Sequence, residues 1–294
     1  MKILVATDGS SSSESIIREA SSRTWPPGTT FTVVTVVDPF FFSSAPRLLE
    51  EAGEKAVQAL TEQARPIADA GWVVHHEILL DSARHALPRY AATMQTDLVL
   101  VGSHGRGTVG RLLLGSTAQA VLRHAPCSVE VVRRPYPDRN LSDGMRVLIP
   151  TDGSEHADYA LHTVAQRPWP PRSEFRVVAS PEYPVLIGEY PYYAPEQLAE
   201  LTRGSREHAV HSALAGEKFL VDAGFAATQR LIEPLDTPAN AILRAAEHWL
   251  PDLIVMGSHG RRGFDRLVMG SVSEKIALYA ACSVEVVRRP LPVL

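Results

Sequence analysis

Val101-Gly-Ser-His-Gly-Arg106, followed after eight further residues by Gly115-Ser116-Thr117, is written twice in this chain. The second copy reads Met256-Gly-Ser-His-Gly-Arg261 and, after the same interval, Gly270-Ser271-Val272-Ser273. In each copy an apolar run, Asp97–Val101 or Leu253–Met256, leads straight into glycine, and helix-forming sequence such as 117–124 follows the second glycine. A strand that enters a glycine loop and leaves as a helix is the signature of an α/β sheet. Glycines tolerate positive φ and close backbone approach, so consecutive N–H groups can converge on an anion. Ser116 and Ser271 occupy the expected N-cap positions, adding a hydroxyl and the unpaired amides of a helix start. A tight strand-to-helix connection would use glycine for sterics alone, but identical spacing in two drifted copies favours a ligand.

The repetition extends outward. Lys2-Ile-Leu-Val-Ala-Thr-Asp-Gly-Ser10 returns as Arg146-Val-Leu-Ile-Pro-Thr-Asp-Gly-Ser154, and Trp25-Pro-Pro27 as Trp169-Pro-Pro171, both 144 residues on. Cys127-Ser-Val-Glu-Val-Val-Arg-Arg-Pro135 returns unchanged at Cys282–Pro290, like the glycine pattern 155 residues on. The 11 extra residues of the second half fall in the Pro- and Tyr-rich stretch 181–195. So long a period means duplicated domains rather than a solenoid of about 20–50-residue units. The division is 1–135, a polar linker 136–145, and 146–294.

Within the first half, strand signals at Ile3–Ala6, Phe31–Val37, Trp72–Leu80, Asp97–Val101 and Val129–Val132 alternate with helical stretches. One of these helices runs from about Arg47 to Ala70, with Gly71 as its stop. Five strands and four helices predict a doubly wound, mostly parallel sheet in each half. Ligands of such sheets bind beyond the carboxyl ends of the strands where strand order reverses, which points at Asp8 and Gly102.

Composition removes other classes. The 294 residues are 45% hydrophobic and 21% charged, with a formal net charge of -4, so nothing suggests disorder or a phosphate-backbone partner such as DNA or RNA. Two cysteines cannot build a disulfide framework or a cysteine-rich zinc site. The N-terminal apolar run is too short for a signal peptide, and no stretch reaches the roughly 20 apolar residues of a membrane span. The expectation is a cytoplasmic protein with no membrane partner.

With its G-x2-G-x9-G-[S/T] pattern and a first strand ending in Thr-Asp-Gly-Ser, the chain resembles the ATP-binding class of universal stress proteins, in tandem. The last strand, Cys127-Ser-Val-Glu-Val-Val, resembles that family too. The resemblance implies five-stranded sheets of order 3-2-1-4-5 and an adenine nucleotide (ATP, ADP or AMP, with or without Mg²⁺) at each switch point. It places Thr7, Asp8 and Val36 at the nucleoside in the first half, and Thr151 and Asp152 in the second. Ribose and phosphates fall to Val101, Gly102, Ser103, His104, Gly105, Arg106, Gly115, Ser116 and Thr117. Their second-half counterparts are Met256, Gly257, Ser258, His259, Gly260, Arg261, Gly270, Ser271, Val272 and Ser273. A carboxylate suits ribose hydroxyls or an adenine amino group rather than phosphate, while an Asx-turn is the plainer role for Asp in Asp-Gly-Ser. The second half departs at the base wall, where Val36 is matched by Ser180 followed by Pro181. The resemblance also implies pairing through final strands, between the two halves or in a homodimer. Nucleotide binding would order the loop between Gly105 and Gly115 and alter a partner surface. Alternatives are a slow Mg²⁺-dependent ATPase and an interaction module that keeps the glycines only for its fold.

Rival motifs are weaker. Gly105-Arg-Gly-Thr-Val-Gly110, with Glu130 about 20 residues on, spells a dinucleotide fingerprint that the second copy loses. No Gly-Lys-[Ser/Thr] provides a Walker lysine. His104 and His259 lack a visible catalytic partner, and Arg106, Arg111, Arg261, Arg262 and Arg266 read equally as phosphate contacts or solvated charge. Cys127 and Cys282 read as small buried thiols, and His75-His76 as one inward and one outward side chain. Tyr183, Tyr190, Tyr192 and Tyr193 read as a packed Pro-rich loop.

Overall fold

Short β-branched runs alternating with amphipathic stretches produce the same five-strand, four-helix unit twice. A computed structural model describes residues 1–104, 114–133, 144–183, 194–232, 237–261 and 269–289. The first unit holds β1 (Lys2–Thr7), α1 (Ser11–Ser22), β2 (Thr30–Val37), α2 (Pro46–Asp69), β3 (Val73–Leu80), α3 (Ala83–Thr93), β4 (Leu98–Gly102), α4 (Ser116–His124) and β5 (Ser128–Val132). The second holds β6 (Arg146–Pro150), α5 (Glu155–Ala165), β7 (Glu174–Ala179), α6 (Pro195–Asp222), β8 (Ala227–Leu231), α7 (Pro238–Trp249), β9 (Leu253–Gly257), α8 (Ser271–Tyr279) and β10 (Ser283–Val287). Contact clustering assigns Met1–Ser142, Pro168–Pro170 and Arg288–Leu294 to one unit and Asp143–Arg167 with Pro171–Val287 to the other. The expected linker 136–145 falls largely outside the described residues, as do most of the tyrosine stretch and Arg111, Arg262 and Arg266.

Each sheet is parallel with the expected order, β3-β2-β1-β4-β5 in the first unit and β8-β7-β6-β9-β10 in the second. Central β1 sets Ile3 level with Phe31 of β2 and with Leu98 of β4. Because α1 and α2 pack together, as do α3 and α4, both faces of the central strands are covered, and β1 and β4 read as unbroken apolar runs. The core joins Ile3, Val5, Ile16, Phe31, Leu60, Ile67, Leu98 and Leu100, with the Trp25 ring edge-on to Phe31 at 5.8 Å. Helix ends follow local chemistry. Pro46 opens α2, and Gly71 at φ +90° follows its close, a conformation that favours glycine. Thr237 caps α7 by accepting from the Asn240 N–H. β3 lies at the sheet edge, and there both His75 and His76 are exposed, with neither turned inward as expected.

One buried ion pair recurs. Arg23 follows α1 and reaches Glu130 on β5 at 2.8 Å, while Arg167 follows α5 and grips both oxygens of Glu285 on β10 at 2.5 and 2.6 Å. Both glutamates are 0% exposed. The pair ties the helix crossing from β1 to the last strand of its own unit. Removing one partner strands a buried charge, which costs about 3–5 kcal/mol. Glu285→Gln and Glu130→Gln are each expected to destabilise the chain by about 3 kcal/mol, a loss visible in the urea midpoint. Exposed Lys218, paired with Asp222 within α6, is the control, and Lys218→Ala should cost no more than about 0.5 kcal/mol.

Both cysteines are buried at the entrance to the last strands, and neither is in a disulfide. Burial pushes the Cys127 thiol up to about 12, so it stays protonated in the folded chain near neutrality. The unfolded thiol loses its proton nearer pH 8.5, so the native state binds this proton more tightly and the associated stability is lost as pH rises above that value. Iodoacetamide at pH 8 is therefore expected to spare Cys127 in the native chain and to label it rapidly in urea. Equal labelling rates would contradict an inert structural thiol.

Candidate functional site

The site follows from the strand order. Chain leaving central β6 turns into α5 on one face of its sheet, and chain leaving neighbouring β9 enters α8 on the other. The two connections part above the strand ends and leave a crevice between them. In the second unit this crevice is a cavity of about 560 Å³, and in the first, above β1 and β4, one of about 400 Å³. Both fall within the usual ligand-pocket range of about 300–1,000 Å³.

A backbone hydrogen bond closes the neck of each glycine loop. The Gly115 N–H donates to the Ser103 carbonyl at 2.7 Å, and the Gly270 N–H to the Ser258 carbonyl at 2.9 Å. Ser103 and Ser258 are held in turn by the last strands, donating their N–H groups to Val132 and Val287 carbonyls at 3.1 Å. These two glycines, not the serines after them, are the helix N-caps, with extended backbones at φ -61° and -65°. The expected caps Ser116 and Ser271 are instead the first helical residues, and the Ser116 hydroxyl accepts from Arg84 at 2.9 Å. Since the Gly115 and Gly270 amides are used at the neck, the amides without an intrahelical partner are those of the first helical turn, at Ser116, Thr117 and Ala118 and at Ser271, Val272 and Ser273. Each of these triplets lines its cavity.

Asp152 stands opposite. Its Oδ1 accepts from the Ser154 N–H at 3.1 Å, which is the Asx-turn, and its Oδ2 accepts from the Arg261 N–H at 3.0 Å. The carboxylate thus spans the loops after β6 and β9. A Cβ on Gly260 would stand 2.6 Å from that Oδ2, so a larger residue there would push the carboxylate from its place. Thr151, Met256, Gly257, His259, Gly260 and Arg261 share the wall with Asp152. Buried Ser258 lies behind it and joins its hydroxyl to His259 Nδ1 at 3.0 Å. The His259 ring also meets that of His156 at 5.0 Å.

In the first unit, Asp8 forms the same Asx-turn, accepting from the Ser10 N–H and the Ser13 hydroxyl at 2.9 Å. Thr7, Asp8, Val36, Val101, Gly102 and His104 line that cavity with Gly115 and the first turn of α4. His104 Nδ1 meets the Ser103 hydroxyl at 2.9 Å, so both loops carry the same Ser-His contact. Gly105 and Arg106 lie outside the described residues, as does the loop expected to order on binding. The rival dinucleotide fingerprint loses its acid, because Glu130 is committed to Arg23 inside the core. Among the described residues no three His, Cys, Asp or Glu side chains group as a metal site, and no helix is long and apolar enough to cross a membrane.

Sequence reading missed the third wall. Ala83 and Leu87 of α3 close the first cavity, and Pro238 and Ile242 of α7 the second. A helix following the edge strand carries no mark that it faces the crevice. Ser180 and Glu182, just past β7, also line the second cavity.

Comparison with known proteins agrees with this architecture. The universal stress protein family model matches residues 1–133 and again 145–288. A universal stress protein of Mycolicibacterium smegmatis is 30% identical over 298 residues, spanning 97% of this chain and 96% of the relative. One from Mycobacterium tuberculosis is 30% identical over 230 residues, spanning 74% and 69%. The crystal structure of a universal stress protein from Archaeoglobus fulgidus superposes with a TM-score of 0.70 over 98% of both chains at 22% identity, a likeness of fold. With two matched copies of the domain and a relative aligned end to end, this chain belongs to the universal stress protein family.

Proposed function

We propose that the chain is a cytoplasmic stress-response regulator that binds ATP or another adenine nucleotide at the switch point of each unit. The carrying observation is the arrangement around the second cavity, with an anchored Asp152 carboxylate on one side and the unpaired first-turn amides of α8 on the other. A carboxylate there accepts from ribose hydroxyls, which a phosphate could not offer, and the amides with the positive end of the helix take phosphate oxygens. Neither group needs a lysine, which suits a chain without a Walker loop and with a net charge of -4. The residues present fit the ligand: the glycine at 260 leaves the approach to Asp152 open, and apolar Met256 and Ile242 line the same cavity for a base. In the first unit Asp8, Val36 and the α4 amides play these parts.

Ser103 and Ser258 are buried and do not line their cavities, so their contacts with His104 and His259 present no nucleophile to a ligand among the described residues, and the reading is binding without rapid turnover. The ligand would act by changing the surface around the glycine loop that a partner meets.

Calorimetric titration with ATP tests this. Gly260→Ala puts a methyl where the Asp152 carboxylate now lies and is expected to weaken ATP at the second unit about tenfold, or about 1.4 kcal/mol. The first unit's affinity should stay as it was. Absence of ATP binding by the unaltered chain, or an unchanged second-unit affinity in Gly260→Ala, would overturn the proposal.

A further inference from the structure

β3 forms the outer edge of the first unit's sheet, on the far side from β5, the strand that the family resemblance expects to pair. It runs eight residues, Val73-Val-His-His-Glu-Ile-Leu-Leu80, without lysine, arginine or proline. An edge of that length presents a row of unpaired backbone groups, which soluble chains guard with short strands and cations. The corresponding edge of the second unit is guarded in this way, since β8 has five residues and carries exposed Arg230. β3 is open instead. His75, His76 and Glu77 are exposed, and none has a side-chain hydrogen bond or ion pair among the described residues. Val73 and Leu80 are 56% and 60% exposed, which leaves apolar surface beside them uncovered.

The backbone shows which groups are open. Asp81 donates its N–H to the Val37 carbonyl at 3.2 Å, one step past the Val37–Leu80 pair of the parallel ladder. Alternate residues of a strand turn their backbone groups to the same side, so Val74, His76 and Ile78 turn theirs away from β2. The side chains are arranged symmetrically about His76. His75 and Glu77, a donor and an acceptor, flank it, and the apolar pairs Val74 with Ile78 and Val73 with Leu79 stand outside them.

We propose that β3 pairs antiparallel with β3 of a second copy of the chain, joining two first-unit sheets edge to edge. Centred on His76, this pairing sets Val74 opposite Ile78 and His76 opposite its own copy. All of these positions have outward backbone groups, and together they exchange about six hydrogen bonds. His75 lies opposite Glu77 twice, in pairs without backbone bonds, where side chains approach most closely and an imidazole N–H can donate to the carboxylate. Val73 opposite Leu79 continues the same face with apolar contact. The charges select this register. A slip of one residue sets outward groups against inward ones, and a slip of two sets Glu77 against either Glu77 or Val73 of the second copy.

Sedimentation of the whole chain over a range of concentrations into the tens of micromolar is expected to show a dimer that dissociates on dilution. His76→Pro removes an N–H that the ladder with β2 does not use, so circular dichroism should stay unchanged while the dimer weakens about tenfold or more. His75→Glu sets two carboxylates opposite Glu77 and should weaken the dimer by a similar factor. The exchange His75→Glu with Glu77→His restores the opposed pairs and should restore the dimer. A monomer at every concentration, a dimer indifferent to His76→Pro and His75→Glu, or an exchange that restores nothing would each overturn the proposal.

Discussion

The chemistry of each crevice depends on one backbone hydrogen bond, from the last glycine of the loop to the carbonyl of the serine after the first. It is made twice, by Gly115 with Ser103 and by Gly270 with Ser258. Closing the loop at its neck fixes where the following helix begins, and so aims its unpaired amides at the strand ends. It also separates two kinds of requirement. The neck residues keep their spacing in both halves, while the sequence between them differs. Gly105-Arg-Gly-Thr-Val-Gly110 and Gly260-Arg-Arg-Gly-Phe-Asp265 could therefore drift apart, which made the first look like a dinucleotide fingerprint.

Beneath the neck, the last strand has to be held in place. Ser103 and Ser258 hang from the carbonyls of Val132 and Val287, the final residues of β5 and β10. Those strands carry Glu130 and Glu285, whose buried partners Arg23 and Arg167 follow the helix after the central strand. A continuous set of contacts thus runs from the first crossover helix through the last strand to the loop that faces the ligand. An ion pair inside the core is a poor source of net stability compared with apolar packing. Its benefit here is register: only one alignment of β5 or β10 brings the carboxylate to its arginine.

What could be read in the sequence was what repeats or has a period. The strand runs, the helix over 47–70 with its Gly71 stop, and the sheet order implied by family resemblance all reappear in the fold. What escaped reading depends on contacts between residues distant in the chain. Gly115 becomes the cap because its amide is taken by Ser103, which no local pattern announces. Arg23 and Glu130 are 107 residues apart, and each alone looks like an ordinary charge. His75 and His76 obey strand alternation, but on this edge strand His76 stays exposed on the face where Val74 and Ile78 pack against the core, so alternation alone does not give burial. Leu87 and Ile242 look like any apolar helix residue until the crevice they close is seen.

Duplication explains why the halves agree at one end of the crevice and differ at the other. The glycine-loop end is built from backbone amides and the carbonyl neck, so side-chain drift barely touches it, and both copies make the same backbone bond. The opposite end is built from side chains at the close of β2 and β7, where one substitution changes the cavity wall. A proline at 181 suffices to end β7 early, free Ser180 from the sheet and bring Glu182 to the wall.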